Sequence, residues 1–521
     1  MPTENFYITT PIYYVNAEPH IGHAYTTILA DVVARYNMSI LNKEVFFLTG
    51  TDEHGSKVEE AARKNNISPI EQCNITSERF KKLWNKLNVS YDYFIRTTEN
   101  KHESTVMKIL TILYETGMIY KSKYSGWYCV SCERFFTDKD LEDDIDNKKC
   151  LLCGKLLEEI EEDNYFFRMS LYHDWLIDYI KNHPNFILPI EKANETLGFL
   201  KKPLNDLCIS RPKNRVKWGI ELPFDDKYVS YVWVDALINY LSGIHYLDND
   251  KKNIFKKWWP ASIQLMAKDI LIAHTIYWTI ILKALNLKLP NTIFVHGWWL
   301  IDSEKMSKSS KNAINPMDLI DKFGVDAFRY FLISDMTPGH DANFSEEIFI
   351  RRYNSDLVNN IGNFVSRVFK FLTKYRDGII PLPDNTLPDN IFRNLKDNLF
   401  KFINNSNFLV QNMELNKYVN VIVEMIKSGN EYIEIMTPWK LLSQSGDNAK
   451  RLDTIMYNLV EFIRIIFSLL YPVMPNTSKK IINVININTT DYFSKNIFKW
   501  GMTQSGSKIV YDIILFPRID R

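Results

Sequence analysis

Phe6 to Thr10 alternates and is β-rich, and Pro11 and Pro19 then bracket a loop that ends at His20. Beyond that loop the period changes: Ile21, Ala24, Tyr25, Ile28, Val32 and Tyr36 fall on one face at helical spacing. A second strand, Val45 to Thr49, runs into Gly50-Thr51-Asp52-Glu53-His54-Gly55 and a further helical segment. The repeated order of strand, loop and helix predicts an α/β fold with a doubly wound parallel sheet, whose ligands bind at the carboxyl ends of the strands. From about Tyr120 to Lys217 the pattern gives way to a cysteine-bearing, charge-rich stretch that reads as an insertion. Strand-like and helical runs resume at Tyr231 to Tyr240, Ile263 to Leu285 and Thr292 to His296, as the second half of the same sheet. After a break at Thr337-Pro338-Gly339-His340, Ser345 followed by Glu346 and Glu347 marks a helix start. Long amphipathic segments at Ser345 to Tyr375, Asn390 to Gly429 and Lys450 to Tyr471 then predict an all-α bundle. The boundaries expected are 1–119 and 226–290 for the two halves of the sheet domain, 120–225 for the insertion, and 291–344 for a loop and linking segment. Residues 345–485 would form the bundle, and 486–521 a tail packing back on the body.

Length and charge narrow the picture without naming a chemistry. A chain of 521 residues exceeds one core, so several domains are expected. With Lys+Arg 63 against Asp+Glu 62 the formal net charge is +1, which excludes a globally basic nucleic-acid binder and leaves room for a local basic face. The first residues do not form a basic stretch followed by an apolar one, and no run of about 20 apolar residues occurs, so a soluble intracellular protein without a membrane span is expected.

Six cysteines are few, and four of them stand in two pairs. Cys129-Val130-Ser131-Cys132, then seventeen residues, then Cys150-Leu151-Leu152-Cys153 fits a tetrahedral four-thiolate Zn2+ site. Four protein ligands leave no open position, so such a metal would be structural; the competing reading is four unrelated buried thiols. Cys73 and Cys208 have no partners in sequence and read as core residues.

Two short motifs carry the strongest chemistry. Pro19-His20-Ile21-Gly22-His23 puts two imidazoles and a glycine at a helix start, where free N–H groups favour an anionic phosphate. His20 and His23 can donate to an α-phosphate whose charge grows as pyrophosphate departs, and Gly22 keeps the backbone open to the nucleotide. Far downstream, Lys305-Met306-Ser307-Lys308-Ser309 is a polar loop whose Lys305 and Lys308 can meet the β- and γ-phosphates. Met306, Ser307 and Ser309 would join the ATP site as the loop closes. Lys268 and Asp269, and His296 and Gly297, stand at strand ends where ribose or adenine would lie. Taken singly, the motifs also fit surface histidines with a packing glycine and a solvated basic loop. In this order and together, they resemble the two signatures of class I aminoacyl-tRNA synthetases.

Longer strings sharpen the resemblance: Thr10-Pro11-Ile12-Tyr13-Tyr14-Val15-Asn16, Gly50 to Gly55, Tyr231-Val232-Trp233-Val234-Asp235-Ala236 and the Lys305 to Ser309 loop. All are similar to the methionyl-tRNA synthetase family. The resemblance implies a Rossmann-type catalytic domain split by a zinc-bearing insertion, followed by an anticodon-binding helical bundle. It also implies two steps: L-methionine and ATP, with Mg2+, give methionyl-adenylate and pyrophosphate, and methionine then passes to the terminal adenosine of initiator and elongator tRNA. In the pocket it implies, Asp52 pairs with the substrate ammonium, while Ile12, Tyr14, Trp233, Leu237, Tyr240, Ile270 and His274 surround a flexible thioether. Two departures from the commonest family wording stand out. Leu237 replaces proline, and Ala267 replaces glycine before Lys268.

The resemblance places Cys129, Cys132, Cys150 and Cys153 in an insertion covering the active site and guiding the acceptor end of tRNA. It likens Asp356 to Asn363 to the anticodon-binding helix, with Asn363 and Arg367 four residues apart on one face, and Trp439 to a base-stacking tryptophan. Core packing is the competing reading of Trp439. The end at Arg521 implies the short form without an appended oligonucleotide-binding domain, hence a monomer; the Lys/Asn/Ile-heavy composition points to an A·T-rich genome, of a bacterium or an organelle, and the lack of an N-terminal extension favours bacterial cytoplasm. Rivals are a class I enzyme for another small apolar or thiol amino acid, a catalytically silent paralogue, and a small adenylyltransferase. The cysteine enzyme holds metal in its amino-acid pocket, valine and leucine enzymes need a larger insertion, the four signature side chains oppose silence, and the helical tail opposes the third.

Overall fold

In the structure, a computed structural model, residues 4–129, 134–136, 149–150, 154–301, 304–305, 314–384, 386, 389–487, 492–494, 497–511 and 514–520 are described. Strand β1 (Asn5–Tyr14) is followed by helix α1 (Ile21–Ser39), β2 (Glu44–Asp52), α2 (Ser56–Lys64), α3 (Pro69–Lys86), β3 (Tyr93–Arg96) and α4 (Asn100–Glu115). Aromatic and β-branched residues dominate β1, and most of it is buried, as a strand covered on both faces requires. The register between β1 and β2 shifts between Thr9 and Ile12. Pro11, which has no N–H for the ladder, sits in that irregularity, and the shift carries the end of β1 toward the ligand crevice.

The insertion opens with β4 (Ile119–Cys129), whose end pairs with β5 (Arg134–Phe136), and continues with β6 (Glu158–Phe167). β4 and β6 run antiparallel from Ile119 opposite Phe167 to Tyr128 opposite Glu158. The next strand, β7 (Ile187–Leu188), leaves the insertion and joins the edge of the main sheet, where Leu188 pairs with Phe294. Sequence reading had this segment wholly inside the insertion; two residues carry no period from which a strand could be read.

After the short helix α5 (Val232–Leu237), strands β8 (Ile263–Ala267) and β9 (Thr292–His296) complete the sheet. Among the described residues its order is β3-β2-β1-β8-β9-β7, every pairing parallel. The chain winds outward from β1 to β3, then returns to the other side of β1 for β8 and β9. The carboxyl ends of β1 and β8 therefore flank the topological switch point, where an open α/β sheet has its crevice.

Helix α6 (Val325–Asp335) leads to the bundle of α7 (Asn363–Tyr375), α8 (Asn390–Gln411), α9 (Leu415–Met436) and α10 (Asp447–Leu470). The stretch predicted as one helix from Ser345 to Tyr375 contains a π-helical segment, Tyr353–Gly362, and the one predicted from Asn390 to Gly429 breaks where Met413 takes φ 59°. A continuous apolar core joins α1 and α6 to the bundle.

At its centre lies a charge cluster. The Asp31 carboxylate accepts from Arg35 at 2.8 Å, Arg329 at 2.6 Å, and the Ser90 N–H and hydroxyl at 2.7 and 2.6 Å. Arg329 also donates to the carbonyls of Leu87, Pro472 and Val473, so α1, the end of α3, α6 and the end of α10 meet at one carboxylate. Farther along α10, buried Glu461 accepts from the N–H groups of Gly501, Met502 and Thr503, while Arg464 donates to the carbonyls of Ile497 and Lys499. Those bonds hold residues 497–503 against the bundle.

Candidate active site and anticodon face

Helix α1 begins with an imidazole cap. His20, at extended φ −129° and ψ 174°, accepts the Gly22 N–H on Nδ1 at 3.1 Å, and Nδ1 of His23 accepts the His20 N–H at 3.2 Å. A side chain that closes on the helix start in this way satisfies donors the helix itself leaves over. Because both Nδ1 atoms accept, each neutral ring carries its proton on Nε2. The rings stack with centroids 3.7 Å apart, and Tyr13 and Phe80 support His23 from the side. A Cβ on Gly22 would lie 3.0 Å from the His20 ring, so glycine preserves the cap as well as the approach of a ligand.

One turn on, the Thr26 hydroxyl lies 2.8 Å from Nε2 of His296, whose Nδ1 donates to the Gly297 carbonyl at 2.7 Å. Burial pushes the His296 pKa down to about 4, so the ring is neutral and its Nε2 accepts from the Thr26 hydroxyl, which it shares with the Gly22 carbonyl at 3.1 Å. Gly297 is obligatory for another reason: a Cβ there would fall 1.9 Å from the carbonyl oxygen of His340.

These groups open on a cavity of about 1500 Å³ at the switch point. Its wall includes Ile12, Tyr14, His20, Gly22, His23, Asp52, Trp233, Leu237, Tyr240, Asp269, Ile270, His274, His296 and Gly297. Asp52 stands at the end of β2 and is 2% exposed. His274 occupies a π-helical turn, Ala273–Trp278, and donates Nδ1–H to the Ile270 carbonyl at 2.9 Å. Its Nε2 can then only accept, and the Tyr240 hydroxyl donates to it at 2.8 Å. Burial pushes His274 down to about 4, which leaves this part of the wall uncharged.

Lys268 is not part of that wall. Its Nζ pairs with Asp341 at 2.7 Å and lies 4.1 Å from the centre of the Trp298 ring. Lys305 has its backbone described, paired with Leu300 on the antiparallel return from Trp299, a wall residue. Met306, Ser307, Lys308 and Ser309 lie outside the described residues.

On the bundle, Arg367 and Trp439 line a second cavity of about 250 Å³ together with Lys370, Phe371 and Lys374. Arg367 bonds Asn430 at 3.3 Å and Glu434 at 2.5 Å, while Trp439 follows left-handed Thr437 and Pro438 and stays 43% exposed. Asn363, exposed at the start of α7, does not contribute to the lining.

Residues 6–369 match the family model described as tRNA synthetases class I (M), and residues 382–521 match that of the anticodon binding domain of methionyl tRNA ligase. The chain is 43% identical to the methionine–tRNA ligase of Caldanaerobacter subterraneus subsp. tengcongensis, over 99% of this chain and 79% of that one. It belongs to the methionyl-tRNA synthetases. The Rickettsia prowazekii methionine–tRNA ligase is 40% identical, with 99% of both chains covered. A solved Mycobacterium tuberculosis methionyl-tRNA synthetase in complex with methionyl-adenylate superposes with a TM-score of 0.93 at 33% identity, covering 99% of this chain and 100% of that one. This synthetase is accordingly a class I ligase, with a parallel-sheet catalytic domain and a helical anticodon-binding domain.

Several wall residues of the synthetase were given no role from the sequence. Tyr13, Thr26 and Trp298 entered neither signature, and only the fold brings Thr26 to His296 across 270 residues. Among the described residues no helix is long and apolar enough to cross a membrane, and no three His, Cys, Asp or Glu side chains gather as a metal site. Of the four knuckle cysteines, Cys129 and Cys150 are buried beside Leu157 and Trp127; Cys132 and Cys153 lie outside the described residues. Cys73 and Cys208 are buried in the core.

Proposed function

We propose that the cavity at the switch point carries out both steps of methionine attachment to tRNA. In the first, a carboxylate oxygen of L-methionine attacks the α-phosphorus of ATP in line and pyrophosphate leaves; in the second, a hydroxyl of the terminal ribose of tRNA attacks the acyl carbonyl and AMP leaves. Asp52 holds the ammonium, and Ile12, Tyr14, Trp233, Leu237, Tyr240, Ile270 and His274 enclose the thioether. The Nε2–H groups of His20 and His23 meet the α-phosphate beside Gly22, and their value lies in being set before charge develops. Lys305 and Lys308, with Met306, Ser307 and Ser309, draw off pyrophosphate, while Asp269, His296 and Gly297 flank the nucleoside. Lys268 contributes by holding Asp341, whose other oxygen accepts the Trp298 N–H at 2.8 Å. Mg2+ accompanies ATP and neutralises its phosphates.

The observation that carries this reading is the shared cavity: the paired-imidazole cap, Asp52 and the neutral pair Tyr240 and His274 all face one space. Pyrophosphate exchange into ATP over a panel of amino acids tests it. Exchange should depend on methionine, and dependence on any other amino acid would overturn it.

The spacing of the four cysteines suits a structural Zn2+. Cys129 closes the β4 edge of a hairpin, Cys150 accepts the Gly154 N–H on its carbonyl at 2.7 Å, and Gly154 takes φ 69°. Cys129, Cys132, Cys150 and Cys153 would hold the ion, which supplies a cross-link and no reaction step. On the bundle, Trp439 stacks an unpaired base while Arg367 and Asn363 bond base edges of initiator and elongator tRNA. A monomer in the cytoplasm completes the proposal.

A further inference from the structure

Behind the amino-acid end of the cavity lies a buried cluster that the reaction does not use. Asp235, 1% exposed, sits on α5 between Trp233 and Leu237, both wall residues. Its Oδ2 is 2.7 Å from Nδ1 of His54, and its Oδ1 is 2.7 Å from Nε2 of His102. His54 follows Asp52 by two residues in the loop after β2, and His102 lies on α4, with its Nδ1 2.8 Å from the Ser242 hydroxyl. One carboxylate therefore ties together the strand end that carries Asp52, the helix that carries Trp233 and Leu237, and the helix behind both. Burial alone would raise the Asp235 carboxyl, but His54 and His102 outweigh it and hold it down to about 2, so it is an anion that accepts from both rings. Two directional, charge-assisted bonds of this length fix orientation in a way the surrounding apolar contacts do not.

We propose that Asp235 is a positioning residue for methionine: with His54 and His102 it clamps the ammonium-binding end of β2 to the thioether-binding face of α5 and sets the distance between the two ends of the amino-acid site. This rests on the assignment of methionine to the cavity. The clamp should act on one substrate alone, because none of its members lies on α1, β8 or β9, the elements that lead into the nucleotide side.

The test is pyrophosphate exchange with the full chain, parental and Asp235→Asn, measuring KM for methionine and for ATP separately. The near-isosteric amide keeps volume and loses the charge and one acceptor. The expected result is a rise of tenfold or more in the methionine KM with the ATP KM within twofold. A partner pair carries the same question should Asp235→Asn fail to fold. His102→Gln keeps a donor toward Asp235 and should stay within about threefold of the parental methionine KM, whereas His102→Leu should show the full rise. Equal rises in both KM values, an unchanged methionine KM, or identical behaviour of the Gln and Leu variants would overturn the clamp. A parental chain without methionine-dependent exchange would overturn the assignment of methionine instead.

Discussion

Tyr240→Phe removes one oxygen from the amino-acid site and leaves the ring. Tyr240 is 1% exposed and His274 2%, so no solvent replaces the lost hydroxyl. Nδ1–H of His274 is committed to the Ile270 carbonyl, hence Nε2 has Tyr240 as its donor at 2.8 Å and becomes a buried, unmatched acceptor in the variant. Such an acceptor costs about 1 to 3 kcal/mol. The backbone around Tyr240 has independent support, because the Tyr7 hydroxyl donates to the Tyr240 carbonyl at 2.8 Å and Trp278 packs on the ring. The loss should therefore stay local to the site, and the part of it felt in methionine binding raises the methionine KM by up to about 5- to 140-fold at about 1.4 kcal/mol per tenfold. The assay is exchange at saturating ATP with methionine varied, then the reverse. The ATP KM should not move. A second readout is pH. Burial, which the substitution leaves in place, holds the His274 pKa down to about 4, so the methionine KM of the variant should keep the parent's pH dependence between pH 7 and 5. An unchanged methionine KM, or an ATP KM that rises alongside it, would refute the argument that this pair forms the polar end of the thioether site.

Other consequences follow from the same structure. Trp439→Ala, remote from the sheet, should cut tRNA charging at least tenfold and leave methionine-dependent exchange nearly intact; a variant losing both equally would sink the stacking role. Asp31→Asn leaves Arg35 and Arg329 buried against a neutral amide and should destabilise the chain by about 3 to 5 kcal/mol at pH 7 in urea unfolding. Although burial opposes it, the two arginines and Ser90 hold the folded Asp31 pKa low, so its contribution is present above the unfolded value of about 3.9 and lost as pH falls through the folded one; the difference between parent and variant should shrink on that descent. Gly297→Ala forces a Cβ onto the His340 carbonyl and should abolish exchange, whereas Gly198→Ala, where a Cβ meets nothing within 4 Å, should be silent. For the proposed Zn2+ site, the parental protein should carry one zinc per chain by elemental analysis, and a chelator or Cys129→Ser should lower that content and expose residues 119–167 to protease; a metal-free parental protein is the contrary result.

Periodicity was enough for the frame of the catalytic domain because the strand and helix periods differ, 2.0 against 3.6, and both run long in β1 and α1. It failed for β7, two residues long, and for the π-helical turns around His274 and at Tyr353–Gly362, whose extra residue per turn leaves the apolar pattern of a helix nearly unchanged. The signature residues at His20, Gly22 and His23 could be read because they are contiguous at a helix start. Lys268 shows the reverse: its position at a strand end placed it near the cavity, but the Asp341 carboxylate that takes its charge arrives from 73 residues away.

What the chain alone establishes is therefore local and periodic: a parallel sheet with its motifs at strand ends, a helical second domain, a paired-cysteine insertion, and the residue types that suit phosphate, ammonium and thioether. The folded molecule adds the partners. Asp31 meets Arg329 across 298 residues, and Asp235 meets His54 and His102 across 181 and 133. No spacing rule reaches so far, because a contact between distant segments depends on how the sheet orders its strands and which helices cover it. The tautomers of His20, His23, His274 and His296, and hence which atoms donate into the cavity, are set by those neighbours and by burial.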